Sequence, residues 1–357
     1  DVYKRQGVNF DRELRLAELS KGIEFEEAPA PPALAATAAT GVAAPPTDTK
    51  SKGITFASPG KTRALAGSAT PSAVSPPSVD LVTEPTTGSA PGHLTGLKRY
   101  RPEKELGSGA MGIVLLATDQ ELDRTVALKV MSKEVQAHPA AAKMFMEEAK
   151  ALAALNHQNI VTVYDRGSDG GQMYIVMEFV EGTTLEAKLE EHGSLPLLEA
   201  IAITAQLCDA LAYAHERRII HRDIKPANIF LDNRNRVKLG DFGIARVMKE
   251  AMIRQTEIKG TPLYMSPEQI LGKDIDPRSD LYSVGCTFYE MLTGRPPFIE
   301  GEILFHHMHS EVEPPSTHGT SIPLEVDDLV MRCLSKDKAD RPASAMAMVK
   351  ELRALLP

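Results

Sequence analysis

The chain has 357 residues, 43% of them hydrophobic, which allows one large or two ordinary domains with a real core. A formal net charge of −8 excludes general attraction to nucleic acid. The three cysteines, Cys208, Cys286 and Cys333, show no metal-ligand spacing and read as small buried core residues, with no sign of an oxidising compartment. No secretory signal is visible, and no apolar run approaches the ~18 residues a membrane span requires. The expectation is a cytoplasmic chain with no membrane segment.

Residues 1–6, "DVYKRQ", precede any methionine and read as translated sequencing adapter, so they are set aside. Residues 7–27 are charged with some helical spacing, a short helix or the tail of something upstream. From residue 28 to 97 the composition shifts to Ala, Pro, Ser, Thr and Gly, with 11 of the 25 prolines. Such a segment buries too little to offset chain entropy and is expected to be a disordered linker. From Lys98 the pattern is globular. "YRPEKELGSGAMGIVLLATD" reads as a hairpin and "TVALKVM" as a strand. Residues 139–155 have helical spacing, and "IVTVYDRG" and "MYIVMEFV" are further strands. Beyond Gly182 helices take over, with 197–217, 279–293 and 342–355 the clearest. A small strand-rich part followed by a larger helical part predicts an α+β arrangement of two lobes.

Three stretches carry chemistry. "GSGAMGIV" at 107–114 places glycines where a backbone must approach phosphate closely. It joins two strands and does not open a helix, which argues against a dinucleotide-binding turn. Lys129, in "VALK", is a lysine on an apolar strand and needs a partner. Glu148 in the following helix is the natural one, and Glu147 is the rival. "HRDIKPANIF" at 221–230 is too tightly spaced for a helix face and too polar for a buried strand. Pro226 interrupts any helix there. The stretch reads as a loop that aims Asp223, Lys225 and Asn228 at one place.

Taken with "DFG" at 241–243, "GTPLYMSPE" at 260–268, Asp280 and Arg341, these motifs give residues 98–357 a specific ordered set. The region resembles the eukaryotic-like serine/threonine protein kinases of the bacterial branch. Ser266, where the family more often has alanine, is the one small departure. The resemblance implies a bilobal protein-kinase fold, with an N-lobe at 98–177, a hinge at 178–182 and a C-lobe at 183–357. It implies ATP and Mg2+, with Mn2+ as an alternative metal, and protein substrates that offer Ser/Thr hydroxyls. Asp223 would orient the acceptor hydroxyl and Lys225 would meet the transferring phosphate. Asn228 and Asp241 would hold magnesium. Lys129, held by Glu148, would bind the α/β-phosphates. The loop Gly107, Ser108, Gly109, Ala110, Met111 and Gly112 would cover them. The adenine would meet Val114, Ala127 and Phe230, with Met177, Glu178 and Val180 along the hinge. His221, Phe242, Leu152 and Val163 would stack across the lobes, Asp280 would fix the catalytic loop, and Glu268 would pair with Arg341.

The resemblance also bears on regulation. Arg222 and Arg246 would clamp a phosphate on Thr256, the only hydroxyl side chain between Phe242 and Gly260, with Glu257 as a constitutive substitute. The alternative reading is a pseudokinase scaffold that binds nucleotide without transfer. It is weakened by the presence of Lys129, Asp223, Asn228 and Asp241.

Overall fold

The structure, a computed structural model, describes residues 97–109, 112–242, 262–318 and 322–356, apart from the side chains of Glu134, Ala140, Ala141, Met144 and Glu148. Residues 28–96 of the expected linker, Ala110, Met111, Arg246, Thr256 and Glu257 lie outside the described residues.

The strand-rich part is a five-stranded antiparallel sheet in the order β1-β2-β3-β5-β4. Its strands are β1 (Tyr100–Gly109), β2 (Gly112–Asp119), β3 (Arg124–Met131), β4 (Val163–Asp169) and β5 (Gln172–Glu178). Alternation along the strands makes two faces. One carries Leu115, Ala117, Val126, Leu128, Val130 and Val176, which form a core with Tyr100. Leu97, assigned by composition to the linker, is 7% exposed and packs in that core. Gly112 opens β2 with φ 147°, and a methyl group there would lie 1.9 Å from the Val130 carbonyl oxygen. Only glycine lets β3 come that close. The short helix α1 (Lys133–Gln136) and α2 (Pro139–Ala153) follow β3.

After Glu178 the chain enters a small sheet of β6 (Gly182–Thr184), β7 (Ile229–Asp232) and β8 (Val237–Leu239), in that order. Between β6 and β7 come α3 (Leu185–His192) and α4 (Leu197–Glu216). The helix α4 corrects one expectation, because it is long and apolar enough to cross a membrane by length and composition. Of its most apolar 18 residues 78% are buried, on nearly every side of the helix. A helix that is hydrophobic all round reads as a core helix when protein surrounds it. Around it lie α6 (Pro277–Thr293), α8 (Leu324–Cys333) and α9 (Ala345–Ala354), with α5 (Pro267–Ile270) and α7 (Ile303–His309) nearer the surface. All three cysteines are buried. Cys208 and Cys333 both approach the Met348 sulfur, at 4.0 and 3.7 Å.

The two sheets are tied together behind the hinge. Val161 N–H donates to the Leu239 carbonyl at 2.9 Å, and Leu239 N–H donates to the Asn159 carbonyl at 2.8 Å. The Asn159 amide reaches the Val237 carbonyl at 2.8 Å and Gln206 at 3.2 Å. Buried polar groups of this kind are stable only when paired, and these are.

Candidate active site

Strand register assembles the upper wall of the cleft. Val114 lies opposite Lys129, and Ala127 opposite Met177. Residues directly opposite, or two apart on one strand, share a face. Val114, Ala127, Lys129 and Met177 therefore project together, away from the apolar core of the sheet. Gly107, Ser108 and Gly109 are exposed at the end of β1. Glu178 ends β5, and Val180 follows in the connection to β6.

Phe230 forms the lower wall. Its neighbours Ile229 and Leu231 are buried, so the Phe230 ring points to the opposite face. Lys238, directly across from Phe230 on β8, shares that face and reaches the Glu178 carboxylate at 2.8 Å. The same carboxylate accepts the Thr162 N–H at 3.1 Å. The hinge is thus pinned to the strand that leads to Asp241. The sequence places Glu178 along the hinge, and nothing in its spacing points to Lys238.

The segment 221–230 does converge. Lys225 Nζ lies 3.0 Å from Asp223 Oδ2. The Asn228 amide nitrogen donates to the same oxygen at 3.0 Å and to the Asp223 carbonyl at 2.7 Å. Residues Pro226–Asn228 form one 3-10 turn where a loop was expected. Proline is tolerated at its first position, where no backbone donor is needed. Asp280, buried in α6, accepts the His221 N–H at 2.9 Å, the Arg222 N–H at 2.8 Å and His215 Nε2 at 2.7 Å. Arg222 and Asp241 both hold left-handed backbone, at φ 66° and 47°. Non-glycine residues keep such strain only where the surroundings over-determine it. For Arg222 the clamps are Asp280 below and the Gln269 amide, which donates to its carbonyl at 2.8 Å.

His221 links this loop to the next strand. Its Nδ1 accepts the Asp223 N–H at 3.3 Å, so its Nε2 carries the proton and donates to the Gly240 carbonyl at 2.8 Å. Burial lowers its pKa, which keeps the ring neutral. Phe242 packs on it with ring centroids 4.4 Å apart, and Leu152 and Val163 are buried.

Lys129 meets Asp241 at 2.6 Å. Sequence reading paired it with Glu148, whose backbone lies in α2 and whose side chain is outside the described set. The rival, Glu147, has a side chain 60% exposed and 3.8 Å from Lys143, so it faces solvent. Desolvation raises the Asp241 pKa, but the Lys129 charge and hydrogen bond outweigh it and hold the carboxyl below its ordinary value. Asp241 is therefore an anion in a cleft. The Asn228 amide nitrogen is committed to Asp223, which leaves the amide oxygen as the end available to a cation. Among the described residues no group of three or more His, Cys, Asp or Glu could hold a metal. One carboxylate and one amide oxygen still fit magnesium, a hard cation that uses few protein ligands and completes its shell with phosphate and water.

Two antiparallel sheets joined by a hinge, over a helical base that carries a strained acid-lysine-amide loop, define a two-lobed α+β architecture. The chain belongs to the protein kinase domain family, which matches residues 100–352. It is 42% identical over 273 residues to "Serine/threonine-protein kinase PknB" of Mycobacterium leprae, an alignment covering 74% of this chain and 44% of that protein. It is 39% identical over 261 residues to "Serine/threonine-protein kinase PknL" of Mycobacterium tuberculosis, covering 72% of this chain and 65% of that one. The chain thus spans less than half the length of the PknB relative. The crystal structure of the Mycobacterium tuberculosis PknI kinase domain is similar at TM-score 0.60 and 29% identity, over 74% of this chain and 99% of that domain.

Proposed function

We propose that the protein transfers the γ-phosphate of ATP to Ser/Thr hydroxyls of protein substrates. The observation that carries this reading is the convergence of Lys225 and Asn228 on one Asp223 oxygen, at 3.0 Å each, together with the Lys129–Asp241 pair. Asp223 is placed to orient the acceptor hydroxyl and to take its proton as the oxygen attacks phosphorus. The bond from phosphorus to the β,γ-bridging oxygen breaks, and ADP leaves. Lys225 stands beside Asp223 to balance charge on the moving phosphoryl group, and Lys129 offers an ammonium to the α/β-phosphates. Bound magnesium would neutralise phosphate charge, held by Asn228 and Asp241. The N–H of Val180 and the carbonyl of Glu178 would read the adenine edge. ATP and three free buried thiols fit a cytoplasmic setting.

The test is incorporation of radiolabelled phosphate into a generic protein acceptor with magnesium. We expect Asp223→Asn and Asp241→Asn to lower incorporation at least about a hundredfold while melting stays close to wild type. Wild-type binding of ATP without transfer would instead make the protein a nucleotide-binding scaffold.

Regulation is proposed on the sequence reading of Thr256, Arg222 and Arg246, supported by the rigid seat of Arg222 on Asp280 and Gln269. After phosphatase treatment and ATP addition, mass spectrometry should find phosphate on Thr256, and Thr256→Ala should abolish the rise in activity. A loss confined to Glu257→Ala, with Thr256 unmodified, would show a permanently charged segment instead.

A further inference from the structure

A cavity of about 470 Å3 opens beside α5, and none of its walls belongs to the cleft. Pro267 and Leu271 line it at the two ends of that helix, Lys273 and Asp274 just beyond, and Lys336 and Lys338 in the connection from α8 to α9. Lys273 is exposed. Lys338 pairs with Asp276 at 2.8 Å and donates to the Asp274 carbonyl at 3.0 Å, and its bond to Asp276 raises its pKa.

Lys336 is placed differently. It is half-buried, and among the described residues it makes no ion pair with a carboxylate. Its Nζ donates to the His306 carbonyl at 3.2 Å and stands 4.9 Å from the centre of the Phe298 ring and 6.0 Å from that of Tyr282. The acids nearby are engaged elsewhere. Glu268 is held by Arg341 and Ser279, and Asp337 accepts the Ala339 N–H at 2.8 Å. Arg341, a charge of like sign, donates to the Lys336 carbonyl at 3.3 Å. The Tyr282 hydroxyl is bonded to His307 at 2.8 Å, and burial keeps His307 and Cys286 neutral. Burial lowers the Lys336 pKa from 10.5 to about 8, opposed by Cys286 and reinforced by Arg341. Near neutral pH a substantial share of these side chains is therefore free amine, the nucleophilic form.

We propose that Lys336 is an acylation site: an amine without a carboxylate partner, set in the wall of a cavity, that accepts small activated acyl groups from acyl phosphates or thioesters. The Nζ lone pair attacks the carbonyl carbon and the C–N bond forms. The bond from that carbon to the leaving oxygen or sulfur breaks, and one amine proton ends on the departing phosphate or thiol. The product suits its surroundings. A neutral amide does not repel Arg341, it keeps one N–H for the His306 carbonyl, and the cavity has room for the acyl chain. The consequence falls on α7, which loses the cation at its C-terminal carbonyls.

The experiment treats the wild-type full chain with acetyl phosphate in one arm and acetyl-CoA in the other, over a series of pH values. Peptide mass spectrometry follows each lysine at low occupancy. Lys273 and Lys338, which line the same cavity, are the internal standards. At neutral pH Lys336 should acetylate at least about fivefold faster than either, the margin left after partial burial offsets its larger amine fraction. Its rate should level off above about pH 8, while that of Lys338 goes on rising. Opening of the lobe cannot mimic this result, because an unfolded chain exposes all three lysines alike. Preference for one donor identifies the source of the acyl group and supports the site equally. A Lys336 rate no faster than those of its two neighbours, with both donors, overturns the proposal. So does a rate that runs parallel to Lys338 through the whole pH series.

Discussion

Asp280 shows how much of the site hangs on one side chain. Its two oxygens accept two successive backbone N–H groups, of His221 and Arg222, and the His215 ring. Removing the carboxylate leaves those donors buried without partners, at about 1–3 kcal/mol each. It also frees the strained turn at Arg222 that aims Asp223. Asp280→Ala should therefore lower both the melting temperature and kcat, and Asp280→Asn, which keeps one accepting oxygen, should fall between. Calorimetry and steady-state kinetics on the same preparations check this. An Asp280→Ala protein with wild-type kcat would refute the anchoring role. The sequence announced Asp280 through the motif set, but His215 was silent, because a histidine at the end of an apolar helix has no spacing that identifies its partner. The Lys129–Asp241 contact was equally silent. It joins a strand of the first sheet to a residue just beyond the last strand of the second, 112 residues apart in sequence and 2.6 Å apart in the fold.

At the scale of elements, the four-residue helix α5 is held by its side chains, since its length gives it little stability of its own. Gln269 Oε1 accepts the Ser266 N–H at 3.0 Å and its hydroxyl at 3.2 Å. The Ser-x-x-Gln spacing is a capping-box signature, so this role of Ser266 is legible in the sequence. Glu268 makes two bonds to Arg341, at 2.7 and 2.9 Å, and accepts from Ser279 at 2.6 Å. Arg341 spends its other donors on carbonyls of Ser335, Arg278 and Lys336. Arg341→Ala strands a buried carboxylate and should cost roughly 3–5 kcal/mol, measured by urea unfolding. Desolvation raises the Glu268 pKa, but the bonds from Arg341 and Ser279 outweigh it and bring it from 4.5 to about 2. A depressed folded-state value makes the pair's stabilisation complete above the unfolded pKa of 4.5 and lost as pH falls toward about 2. Glu268→Gln should therefore flatten the acid limb of stability in that window. An unchanged limb would mean that other carboxylates control it.

For the whole molecule, most element boundaries follow from hydrophobic period and turn residues, which are local. The ties between the lobes are not local. Glu178 meets Lys238 across 60 residues of sequence, and Asn159 meets Val237 across 78, so neither could be read from spacing. The burial of the cysteines has a practical consequence. All three lie between residues 208 and 333, one on each of three core helices, and the strand-rich lobe has none. Burial raises each thiol pKa, that of Cys333 to about 12. Since thiolate is the reactive form, alkylating reagents should label the chain only through opening of the helical lobe. The labelling rate then reports how often that lobe alone breathes, while unfolding confined to the other lobe passes unseen. If the lobes open together, saturating nucleotide should slow labelling by the factor that its concentration over Kd sets. A rate indifferent to nucleotide would make the helical lobe an independent folding unit, able to lose and regain its structure beneath an intact sheet.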